Sequence, residues 1–204
     1  MTATYDAIIV RGLCYGPGDD PDGQVCVEQA VALALGQAFG DHPADDVLHA
    51  ASEYGRRLND AQWSSPTARA AGLREYGLAQ VEIVQRGDRV DERAFAVSLA
   101  LRIGREVLPP TLRESLHALA MKEHAVACER ATTMLRRDAT NAATAAACAV
   151  TFAAGSGYDA RDRVLALAAK IATECLRAAA VDGGARDVPP AACEHDPFDD
   201  AAGD

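Results

Sequence analysis

Aromatic side chains are scarce in this chain: four Phe, five Tyr and one Trp, 5% of 204 residues. Sheets favour aromatic and β-branched residues, so this scarcity argues against an all-β domain. Basic charge is also short, with 20 Lys and Arg against 30 Asp and Glu and a net charge of −10. A general nucleic-acid or anionic-membrane surface needs basic density, so neither partner is expected. No stretch approaches the ~20 apolar residues of a membrane span. The N-terminus has no basic region, and Ala7-Ile8-Ile9-Val10 is too short for the apolar part of a secretory signal. The expectation is a cytoplasmic protein. Its cysteines, Cys14, Cys26, Cys128, Cys148, Cys175 and Cys193, form no CxxC pair. In a reducing compartment they are expected as thiols, with Cys128, Cys148 and Cys175 acting as small buried hydrophobes.

What the chain has instead is alanine, 44 residues of it, within a hydrophobic fraction of 49%. That fraction excludes a disordered chain, and the alanine points to helices. The expected fold is all-α: a bundle of six to seven helices with a disordered acidic C-terminal tail. Alanines bury little area each, so stability must come from many contacts or from a partner chain. A homodimer is compatible with that.

Residues 5–15 have the composition of a short strand, though no second strand is evident to pair it. The 16–23 segment reads as a loop. Its acids lack the alternating spacing and closing Glu of a calcium loop. A helix over 24–39 is apolar almost all round and so central, with Gly40 as its left-handed end. Pro43, Asp45 and Asp46 open a second helix over 43–58. Ser65 and Pro66 start a third over 66–84, weakened by Gly72 and Gly77, and Gly87-Asp88 closes this N-terminal half. A fourth begins after Asp91 and stops before Pro109. Thr111 and Glu114 form a capping box for a fifth, with no breaker until about residue 137. A sixth, nearly all alanine, covers 139–154 and ends in the Gly155-Ser156-Gly157 turn. The seventh, over 160–181, sets Arg163, Lys170, Glu174 and Arg177 on one face and Val164, Leu167, Ala168, Ile171 and Cys175 on the other. From residue 183 the tail carries six acids against one Arg, half of the net charge. It is expected to be disordered and dispensable for folding. The organisation is thus an N-terminal helical subdomain (1–87), a C-terminal helical bundle (88–182) and the tail (183–204).

Cys26 lies in the first turn of its helix, where the positive helix end favours a thiolate. With His42 as base and Asn59 or Asp60 as orienter, it would complete a nucleophilic set in chain order. An antiparallel hairpin places Cys26 and His42 about 20 Å apart, while Asn59 and Asp60 return to the Cys26 end. Cys26, Glu28 and Asp60 can then meet, and His42 joins only by a bend or from a neighbouring chain. The structural alternative is a buried Cys26 and a His42 that caps the second helix. Glu28 is expected to be partly buried and to need a donor, for which Arg56, Arg57 and Arg69 are the nearest candidates. Trp63 either packs beneath its loop or anchors a partner, packing being the better reading. On the fifth helix His117, Met121, His124 and Cys128 share one face. His124 and Cys128 could ligate a metal if another element supplied ligands, but such a stripe also reads as core. Glu114-x-x-His117 mimics half of a di-iron motif whose second copy is missing.

The run GQVCVEQAVALALGQAFGDHP, followed by RRLNDAQWSSPTARAAGLR, resembles a group of uncharacterised Ala-rich helical proteins from high-GC bacteria and phages. The resemblance covers about residues 22–75. It rests on Cys26 and Glu28, on Asp41, His42 and Pro43, and on Asn59 and Asp60. It implies no activity, and it directs attention to the N-terminal half. The expected function is a helical protein-interaction module with an unknown protein partner, in which Glu28, Asn59, Trp63 and Arg69 are candidate binding residues. One alternative is a small Cys-dependent enzyme (acyl or peptide transfer, or a redox thiol) using Cys26 with His42 and Asn59 or Asp60. The other is a metal-binding bundle. No cofactor is implied.

Overall fold

A computed structural model describes residues 2–40, 49–107 and 158–182, together with Ala139, Ala143, Thr144, Ala146, Ala147 and Val150. Among these residues lie six α-helices: α1 (Thr2–Ile9), α2 (Val27–Ala34), α3 (His49–Asn59), α4 (Pro66–Arg86), α5 (Glu92–Arg102) and α6 (Tyr158–Ala179). A π-helical turn, Ile103–Val107, extends α5. The two-residue strands β1 (Arg89–Val90) and β2 (Ala180–Val181) pair antiparallel. The fold is all-α, as the composition predicts. Among the described residues no helix is long and apolar enough to cross a membrane. His42, His124, Cys128, the fifth expected helix, the Gly155-Ser156-Gly157 turn and the acidic tail lie outside the described residues. The described positions between 139 and 150 are helical, and Ala143, Ala147 and Val150 are buried.

Two expectations are corrected. Residues 5–15 are not a strand. Tyr5, Ile8 and Ile9, spaced i, i+3, i+4, form the buried face of α1. What remains of the strand is a single parallel bridge between Leu13 and Val25. The central helix also ends earlier than Gly40. Gly36 takes φ +75°, Gly36 N–H donates to Leu33 O, and Gln37 N–H donates to Ala32 O. These are the paired bonds of a Schellman motif, which stop α2 at Ala34. Seven of the eight α2 residues are buried, so its central position stands.

Other ends follow local chemistry. Ser65 Oγ accepts from Ala68 N–H with Pro66 at the first turn, Gly87 closes α4 at φ +69°, and Asp91 caps α5. One hydrophobic cluster runs through Tyr5, Val31, Tyr54, Leu73, Phe95 and Ile171, so every helix contributes to it. Tyr76 Oη donates to Ala51 O at 2.7 Å, which ties α4 to α3. The glycines inside α4 are where aromatic rings enter. A Cβ at Gly72 would overlap the Trp63 ring, and one at Gly77 would overlap the Tyr5 ring and hydroxyl.

On α3, Arg56 and Arg57 both bond Glu53 at 2.8 Å. Burial pushes the Glu53 carboxyl up, but the two arginines outweigh it and hold it below its ordinary value. A carboxyl held low stabilises the fold above its unfolded pKa, and that contribution is lost as pH falls through the folded value. Glu53→Gln is therefore expected to flatten the acid limb of stability against pH. Urea titrations with the same acid slope for both proteins would contradict this.

Candidate functional site

The parallel Leu13–Val25 bridge brings the segment after α1 beside the start of α2, and Cys14 N–H donates to Val25 O at 3.1 Å. In a continuing parallel ladder, Val27 N–H would next donate to Cys14 O. The Asn59 side chain occupies that rung instead. Its Oδ1 accepts from Val27 N–H at 3.2 Å and its Nδ2 donates to Cys14 O at 2.9 Å. A carboxamide has one end of each polarity, so it can splice two backbones that have moved apart. Asn59 is fully buried. Its Nδ2 also donates to Asp60 Oδ1 at 3.1 Å, and the same oxygen accepts from Gly16 N–H at 2.9 Å. The end of α3 thus holds the backbone on both sides of Tyr15, whose side chain stands 69% exposed.

Cys26 is the N-cap of α2. Its Sγ accepts from Gln29 N–H at 3.4 Å, and Gln29 Oε1 accepts from Cys26 N–H at 3.0 Å. This is a capping box with sulfur in place of the usual hydroxyl. Gln29 also grips the loop: its Oε1 accepts from Gly18 N–H at 2.8 Å and its Nε2 donates to Gly18 O at 3.1 Å. The Cys26 thiol is engaged in the helix cap and its residue is 3% exposed.

Glu28 is 1% exposed, between α1, α3 and α4. Its Oε1 accepts from Gln80 Nε2 at 3.1 Å and fills the space that a side chain at Gly55 would need. Burial and the nearby Glu28 charge push the Tyr5 and Tyr76 hydroxyls well above their ordinary values. An arginine is the donor expected for Glu28; one donor that the core supplies is the Gln80 amide. Arg56 and Arg57 bond Glu53, and Arg69 Nη1 donates to Leu13 O at 2.7 Å. Arg69 is 6% exposed. Burial lowers its pKa, opposed by Cys14, Asp60, Asp162 and Tyr15 around it. Trp63 is core, with Nε1 donating to Leu58 O at 2.9 Å.

The structure therefore brings Asn59 to the residue after Cys26, joins Asp60 to the 14–18 loop, and sets Glu28 apart in the helical core. Among the described residues no group of three or more His, Cys, Asp and Glu could hold a metal ion. Sequence reasoning passed over Tyr15, Gln29 and Gln80. The spacing of Cys26 and Gln29 matched a capping box, but a cysteine cap hid it. No protein-family model matches the chain, and no curated protein or solved structure matches it significantly.

Proposed function

We propose that the chain is a helical protein-binding module that docks its partner through the loop around Tyr15. The supporting observation is the way Asn59 and Asp60 clamp residues 14 and 16 while the aromatic ring between them faces solvent. Tyr is enriched among residues that dominate binding energy, and a rigidly presented ring loses little entropy on docking. Val10, 79% exposed, adds apolar surface in the same segment.

A photo-cross-linking residue at position 15 of the full chain, expressed in its native cells, is expected to capture one discrete partner. The same residue at Leu101, another exposed hydrophobic position, is expected not to. Tyr15→Ala should weaken the isolated complex by about 2 kcal/mol or more, roughly thirtyfold, and leave the melting temperature unchanged. Equal capture at both positions would remove the reading.

The cysteine-enzyme alternative needs Cys26 to reach a substrate. Native protein treated with iodoacetamide at neutral pH is expected to label Cys14 ahead of Cys26, because the Cys26 sulfur is engaged in the α2 cap. Rapid labelling of Cys26 would favour the enzyme. The metal reading rests on His124 and Cys128, and the metal content of protein purified without a histidine tag tests it.

A further inference from the structure

We propose that Cys14 and Cys26 are a redox pair, joined into a disulfide by a hydroperoxide and reopened by small thiols. The inference is independent of the docking reading. It rests on register. The Leu13–Val25 bridge is parallel, and Cys14 N–H bonds the carbonyl immediately before Cys26 at 3.1 Å. Each cysteine directly follows a bridged residue, Leu13 or Val25. One hydrogen bond and one peptide unit separate Cys14 N from the Cys26 Cα, a spacing comparable with the ~4.4–6.8 Å between Cα atoms that a disulfide spans. Each thiol now makes a weak local bond: Cys14 Sγ donates to Gly16 O at 3.2 Å, and Cys26 Sγ accepts from Gln29 N–H at 3.4 Å. Joining them takes rotation of the two side chains and breaks both of those sulfur contacts.

Cys14 is only half-buried and reacts first. Its sulfur attacks hydrogen peroxide: an S–O bond forms, the O–O bond breaks, and water leaves with the thiol proton. Cys14 is then a sulfenic acid. The Cys26 sulfur attacks it, the S–S bond forms, the S–O bond breaks, and the oxygen departs as a second water with the Cys26 proton. Two thiols lose two electrons to one peroxide. Burial pushes the Cys14 thiol up, against the pull of Arg69 and together with Asp60 and Asp19, so the first step quickens as pH rises. The product is a ring of chain from 14 to 26 that encloses the loop carrying Tyr15. A partly accessible thiol beside a resolving one is the arrangement of a redox-sensing pair, and the raised Cys14 thiol makes it a slow one at neutral pH.

Trypsin cuts after Arg11 and Arg56, so residues 12–56 carry Cys14 and Cys26 and no other cysteine. The full-length protein is treated with equimolar hydrogen peroxide, denatured, and alkylated with iodoacetamide without reductant. The expected peptide is unlabelled and lighter by two hydrogen atoms, and it takes two labels after dithiothreitol. In Cys14→Ser, Cys26 should still take its label after the same treatment. The proposal is overturned by two labels in the oxidised wild type, by over-oxidation of Cys14, by linkage of either residue to another cysteine, or by equal loss of Cys26 label in Cys14→Ser.

Discussion

Asn59→Ala is expected to destabilise the protein by about 4 kcal/mol, because it orphans two backbone groups at once. Val27 N–H and Cys14 O each lose their bond to the carboxamide, which is buried where water does not reach it. For a chain of this size that is a fall of roughly 8–16 °C in melting temperature. Asn59→Asp should be worse. A carboxylate still accepts from Val27 N–H, but it has no donor for Cys14 O, and it places a second charge against Asp60. Asp60→Asn is the milder control, since Asp60 is exposed and an amide oxygen can still receive Gly16 N–H. Urea unfolding of the three variants checks the order. Asn59→Asp as stable as wild type would show that Asn59 does not splice the two backbones.

Gly77→Ala is expected to destabilise although it replaces glycine by the best helix former. Propensity alone would gain about 1 kcal/mol in the middle of α4. The new methyl, however, overlaps the hydroxyl and ring of Tyr5, which is wholly buried against that turn. Overpacking of a closed core costs about 1–3 kcal/mol, occasionally more. The net expectation is a loss of about 1 kcal/mol. Among the described residues the Tyr5 hydroxyl has no hydrogen-bond partner, so Tyr5→Phe alone should be close to neutral. Combined with Gly77→Ala it should recover part of the loss, because the nearest overlapping atom is gone. Additive effects in that double-mutant cycle would separate the two residues and refute the overlap.

These two predictions mark the division between what was legible in the chain and what was not. The all-α class was legible from alanine abundance and aromatic scarcity. So were the start of α4 at Ser65 and Pro66 and the start of α5 after Asp91, because each is decided within one helical turn. Gly72 and Gly77 were equally visible, but only as weak points of a helix. That they admit Trp63 and Tyr5 depends on residues distant in sequence. The same holds for the candidate site. The gathering of Asn59 and Asp60 at the Cys26 end followed from the hairpin length alone. Their use did not, because it depends on Leu13 pairing with Val25 and leaving a rung for the Asn59 amide. Glu28 could be read as buried from its apolar neighbours, but the Gln80 amide as one of its donors could not. Gln80 lies 52 residues away, and nothing local distinguishes it from the arginines nearer by. Caps, glycine ends and helical periodicity are written in consecutive residues because backbone geometry acts over a few residues. Which polar group meets which inside the bundle was decided only when helix packing closed distances that sequence spacing does not encode.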